Sequence, residues 1–293
     1  MFNNRTGTMI KSFLLFSVLA FATVTQAIFA QSSLEGTTLN AESGEPLPYV
    51  NIGIPARGTG TVSDGSGRFS LTYAADTDSV IFSAIGFETA ILTAIELLKT
   101  PEIRLTPAVY EMEDVVVTGT LSENSDIYGH RLRRQGDNIG FGSTQLGTQI
   151  GARIEIRRPV QIQSAHFMVN RAGADSMLFR VNVYSLNEGL NGQNLLPENV
   201  IVEAPSEPGV MSVDLEPYDI IVNDDVLLSL EWIEAVNVPD DELQNISFRA
   251  ARTGRNPNML LKSTSHAPFR SYDDLVPYRL GFYLTGSRFR ESD

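Results

Sequence analysis

The 293-residue chain has no cysteine. That excludes disulfides, thiolate zinc sites, a cysteine nucleophile and a lipidated mature N-terminal cysteine. Positive charge is scarce: 22 Lys and Arg face 35 Asp and Glu, a formal net charge of -13. Such a balance lacks the basic face that neutralises nucleic-acid phosphates, so no nucleic-acid partner is expected, and it disfavours adhesion to an anionic membrane surface. Histidine occurs three times and tryptophan once. Beyond residue 30, no apolar run is long enough to cross a membrane as a helix.

The histidines carry no metal signature. His130 is followed by Arg131-Leu132-Arg133, His166 by Phe167-Met168-Val169 and His266 by Ala267-Pro268-Phe269. The two-histidine helix of zinc peptidases is therefore missing in its usual spacing. There is no G-x-S-x-G elbow, no phosphate-binding loop and no G-x-G-x-x-G after a strand. Neither an enzyme activity nor a cofactor is expected.

What is present begins with a targeting pattern. Lys11 precedes the apolar run Phe13–Ala22, and small residues follow, with cleavage after Ala30 or Ala27. Residues 1–30 are read as a secretory signal peptide, so the chain is expected to be exported to the periplasm, the outer membrane or the cell surface, without a membrane span after cleavage.

Residues 31–107 read as short strands between turns. Val50, Ile52 and Ile54 alternate with polar or small residues, as do Phe69, Leu71 and Tyr73. Alternation with period two puts each set on one face of a strand. Asp64-Gly65-Ser66-Gly67 reads as a tight hairpin turn. About seven strands with regular turns predict a β-sandwich. Calcium ligation by Asp64, or by Asp76 and Asp78, is the functional alternative to turn chemistry, but the later ligands of an EF-hand loop are absent. Thr93–Lys99 and, in the second half, Asp240–Gln244 can each form a turn or a short helix.

Four strings in this stretch, Gly44–Ile52, Gly60–Asp64, Gly67–Leu71 and Phe82–Glu88, together resemble the carboxypeptidase-regulatory-like domain of secreted and outer-membrane proteins of Bacteroidetes type. The resemblance implies a transthyretin-like seven-stranded sandwich acting as an accessory module, with no peptidase activity of its own. Glu111–Thr120, containing Val115-Val116-Val117-Thr118-Gly119, is similar to the segment that follows this domain in TonB-dependent receptors. A receptor barrel of about 22 strands at roughly 10 residues each needs more than about 200 residues. Only Leu121–Asp293 follow. Val115, Val116 and Val117 are kept as a possible partner-binding strand, and residues 108–140 are read as a linker that includes the basic island Arg131-Leu132-Arg133-Arg134.

Residues 141–293 again read as β, with about eight strands suggesting a second sandwich of jelly-roll type. The whole chain is thus expected to be all-β. On Leu178–Tyr184, Phe179, Val181 and Val183 share one face, with Arg180 and Asn182 opposite. On Val226–Ile233, Glu231 points away from Trp232 and is read as a rim charge. Trp232 and Tyr184 are the candidate ligand contacts, through stacking on a sugar. Ser265-His266 near Asp273-Asp274 contains the residue types of a serine triad, but neighbouring side chains on an extended chain point apart. The expected role is a non-enzymatic envelope module. It would bind an envelope protein or a glycan, the alternative being a glycan-binding protein of a polysaccharide-uptake system and, further off, a hydrolase with an unrecognised site.

Overall fold

Alternating burial, the mark of a strand with one face in a core, runs through the chain. The computed structural model describes residues 32–73, 75–108, 120–132, 136–142, 145–171, 177–186, 190, 192–235, 246–253, 257–271 and 277–290. The signal segment, Val115–Val117 and Asp240–Gln244 lie outside these residues.

The first sandwich holds β1 (Ser32–Asn40), β2 (Asn51–Ile54), β3 (Thr59–Val62), β4 (Arg68–Tyr73), β5 (Ser79–Ser83), β6 (Ala90–Thr93), helix α1 (Ala94–Lys99) and β7 (Glu102–Leu105). One sheet has the order β4-β1-β7 and the other β3-β2-β5-β6. β1 and β7 are parallel, from Thr37 opposite Glu102 to Asn40 opposite Leu105. Val50, Ile52, Ile54, Val80 and Phe82 are fully buried between the sheets. Each buried aliphatic or aromatic side chain of this kind contributes about 1.5–3 kcal/mol. The short helix starts with a capping box, in which the Glu96 carboxylate accepts from the Thr93 backbone N–H at 2.8 Å and from its hydroxyl at 2.6 Å.

Two expectations are corrected here. Val50 lies before its strand and not on it, because Tyr49 has a left-handed φ of 57° and β2 starts only at Asn51. The Asp64–Gly67 turn does not close a hairpin within one sheet, since β3 and β4 belong to opposite sheets. The carboxylate of Asp64 accepts from the backbone N–H groups of Ser66 (2.8 Å) and Arg68 (2.9 Å) and from the Ser66 hydroxyl (2.7 Å), which is turn chemistry. Asp78 pairs instead with Arg57 at 3.0 Å.

The second sandwich is built from β8 (Thr120–Gly129), β9 (Asp137–Phe141), β10 (Gln149–Ile154), β11 (Val160–Arg171), β12 (Met177–Ser185), β13 (Val200–Glu203), β14 (Gly209–Asp214), β15 (Ile221–Val222), β16 (Val226–Ala235), β17 (Ile246–Arg252), β18 (Met259–Lys262), β19 (Arg270–Ser271), β20 (Tyr278–Leu280) and β21 (Phe282–Arg290). One sheet runs β13-β12-β16-β10-β18-β19. The other runs β20-β17-β11-β21-β8, with β14 and β15 also paired to β11 and β9 to β17. Among the described residues no sheet closes into a barrel, and the fold is all-β. The expected linker is not one over its second part: β8 pairs with β21 and β9 with β17. β8 sits at the sheet edge with a largely exposed face, so its polar sequence hides the strand. The core gathers Phe179, Val181, Val183, Leu228, Leu230, Trp232, Phe248 and Phe282.

Candidate functional site at the junction of the sandwiches

Residues Ser33–Asp293 form one compact unit, and within it the polar face of β12 and β16 lies against the first sandwich. The alternation that sends Phe179 and Val181 inward sends Arg180 and Asn182 outward, and the strand register sets Arg180 directly opposite Glu231. Both side chains are nonetheless buried, Arg180 1% exposed and Glu231 0%. The expected rim charge at Glu231 is therefore corrected: its outward face is covered.

The guanidinium of Arg180 ties the two sandwiches together. Nη1 donates to Glu231 at 3.2 Å and to the side-chain oxygen of Asn51 at 3.1 Å, while Nη2 donates to the carbonyl of Tyr49. Glu231 also accepts from Asn182 Nδ2 (3.3 Å) and from the Ser265 hydroxyl (2.9 Å), so both carboxylate oxygens are engaged. This is the condition under which a buried charge is tolerated. Further bonds cross the junction: Gln145 Nε2 donates to the Gly60 carbonyl at 3.1 Å, and His266 Nε2 lies 3.3 Å from the Asn51 carbonyl.

Two glycines make this approach possible. Gly53 and Gly60 face each other across β2 and β3. A Cβ on Gly53 would lie 2.8 Å from His266 Cδ2, and one on Gly60 would lie 3.2 Å from Thr264 Cβ. The segment Thr264–His266 packs where those side chains would be.

Beside the ion pair, a cavity of about 490 Å³ opens between the sandwiches. Its walls include Asn51 and Phe87 from the first sandwich and Arg180, Tyr184, Gln193 and Lys262 from the second. Lys262 Nζ lies over the rings of Tyr184 and Phe269, 5.9 and 5.1 Å from their centroids. Burial pushes the Lys262 ammonium below the usual lysine range, against the opposing pull of Glu231. Burial, then the charge of Glu231, push the Tyr184 phenol up. Burial likewise holds His266 below the ordinary histidine value.

The two candidate ligand contacts part company. Tyr184 borders the cavity. Trp232 is 2% exposed and packed among Phe141 and Phe179, with ring centroids 6.2 and 6.1 Å away, so it has no ring face to offer. Its position on the inward face of β16 is the reason. Ser265 and His266 do not form a dyad, because the hydroxyl donates to Glu231 and the imidazole faces the Asn51 carbonyl. Asp273 and Asp274 lie outside the described residues. Sequence reasoning missed Lys262 and Gln193 as cavity residues. The outward position of Lys262 on β18, beside apolar Leu260 and Leu261, was the available signal.

The fold and this junction define an all-β sandwich protein. Residues 34–117 match the model of the CarboxypepD_reg-like domain, and the first sandwich is such a domain, a regulatory and non-catalytic type. The chain is 34% identical over 90 residues to the TonB-dependent receptor P39 of Formosa agariphila, a match covering 31% of this chain and 8% of that protein. The chain thus spans only a small part of that relative's length. Among solved structures it is similar to the cysteine protease and lectin-like domains of Cwp84, a surface layer associated protein of Clostridium difficile, at 11% identity and a TM-score of 0.41, covering 79% of this chain and 45% of that one. A second structure of the clostridial cysteine protease Cwp84, after propeptide cleavage, gives 11% identity and a TM-score of 0.38, covering 79% and 51%. At these scores the likeness bears on neither the fold nor the chemistry of this chain. Among the described residues, no helix is long and apolar enough to cross a membrane.

Proposed function

We propose that this chain is a non-enzymatic, exported module of the bacterial cell envelope that binds its ligand at the junction of its two sandwiches. In this reading residues 1–30 are the export signal, the first sandwich spans 31–107, and Val115, Val116 and Val117 offer a strand to an envelope partner. The observation that carries the reading is the cavity of about 490 Å³ walled by both sandwiches, in which apolar and aromatic side chains such as Ile85, Phe87, Tyr184 and Leu196 alternate with polar groups, as in a small-molecule site. The regulatory character of the matched domain and the partial kinship with a TonB-dependent receptor support an envelope role. Both oxygens of the Glu231 carboxylate are already engaged by Arg180, Asn182 and Ser265, and the residue is fully buried.

The favoured ligand class is a glycan. Calorimetry against a broad panel of polysaccharide fragments is expected to give saturable binding that Tyr184→Ala weakens at least tenfold. Absence of binding across the panel, or hydrolase turnover abolished by one substitution, would sink the reading.

A further inference from the structure

The cavity's charge does not balance. Of the side chains that line it, Arg180 and Lys262 are cationic and none is acidic, in a chain where acids outnumber bases 35 to 22. The nearby carboxylate of Glu231 is engaged by Arg180, Asn182 and Ser265. Lys262 Nζ, by contrast, has no hydrogen-bond or ion-pair partner among the described residues and rests only over aromatic rings. Arg180 is 1% exposed, and its Nε is a buried donor with no partner. A buried donor left unmatched costs the protein its desolvation energy, and an uncompensated buried cation costs more. The Lys262 ammonium, which lines the cavity, is matched by a ligand group that is anionic and only accepts.

We propose that the junction cavity is an acidic-sugar site, in which Lys262 Nζ holds the carboxylate of a uronic acid. This rests on the binding role argued above and specifies its ligand. A carboxylate accepts on both oxygens and matches the charge of the Lys262 ammonium. Tyr184 and Phe87 offer apolar surface to the face of a sugar ring, and the Gln193 amide can serve a ring hydroxyl. The volume of about 490 Å³ suits a short oligosaccharide. An extended acidic peptide fits less well. Binding of that kind adds a strand to a sheet edge, whereas β2, β12 and β18, which wall the cavity, are each flanked by strands on both sides.

The test is calorimetry on the full chain with trigalacturonate, its neutral galactose counterpart and a triglutamate peptide. The acid is expected to bind at least tenfold more tightly than the neutral trisaccharide and the peptide. Lys262→Met should remove that preference, while Lys262→Arg, which keeps the charge, should retain it. Lys262 is only half-buried, so the variants are checked for an unchanged melting temperature. Equal binding of acid and neutral sugar, a preference that survives Lys262→Met, or no binding of the acid overturns the proposal. Peptide binding as tight as the acid's overturns the sugar assignment. Neutral glycans that bind at the junction without acid preference would defeat this inference and leave the binding role standing.

Discussion

Arg180 and Glu231 face each other across β12 and β16 at 3.2 Å, and both are buried. Arg180 is also the group that reaches across to Asn51 and Tyr49. The pair therefore holds one sheet together and joins that sheet to another sandwich.

Removing one member should be costly. Glu231→Leu leaves the guanidinium uncompensated and is expected to lower stability by about 3–5 kcal/mol, the usual range for breaking a buried pair. The double variant Arg180→Met/Glu231→Leu should recover part of that loss, with a coupling energy above about 1 kcal/mol in the cycle. Urea denaturation of the four proteins measures it. Additive effects would mean the pair does not act as a unit.

Gly53→Val is expected to strike the junction and spare the strand, since valine suits a strand by itself. The new Cβ would fall 2.8 Å from the His266 ring. Overpacking of this kind costs about 1–3 kcal/mol. Scanning calorimetry should show the first sandwich melting separately from the second. A single transition at the wild-type temperature would disprove the close approach.

Trp232 is the only tryptophan, and its core position makes it a reporter. Its emission should be that of a buried indole and shift to the red only on unfolding. Trp232→Ala is expected to destabilise the second sandwich by about 3–5 kcal/mol, as large-to-small core changes do. Loss of glycan binding with unchanged stability would place the indole at a surface instead.

Much of this architecture can be read in the chain. Val50, Ile52 and Ile54, or Phe179, Val181 and Val183, announce their strands by alternation, and each set is fully buried. The same alternation also placed Glu231 on the face opposite Trp232. It could not say that this face is covered, because burial of the second face depends on a docking partner more than 100 positions away, from Asn51 to Arg180. β8 escaped for the opposite reason. As an edge strand it needs little apolar surface, so Ser122–Asp126 read as linker. Of the two candidate contacts, Tyr184 borders the cavity, while Trp232, which draws attention by its chemistry, is core.

Acidification should weaken the fold through its histidines. Burial lowers the imidazoles of His130, His166 and His266 alike. The unfolded chain then takes up protons near pH 6.5 while the folded chain does not. Stability is fully present above about pH 6.5 and declines as pH falls through that value, until the folded imidazoles protonate in turn. Melting temperatures between pH 7.5 and 5 should fall, and His266→Gln should flatten part of the decline. A profile that is level or rises toward pH 5 contradicts this.

The parallel pairing of β1 with β7 has a mechanical consequence. The chain enters the first sandwich through one of these strands and leaves it through the other, and they are bonded from Thr37–Glu102 to Asn40–Leu105. Tension applied between those two ends pulls the strands lengthwise past each other. The ladder is then loaded in shear, with its bonds sharing the force and failing together rather than unzipping one at a time. The first sandwich is thereby a stiff link in the direction of its own chain.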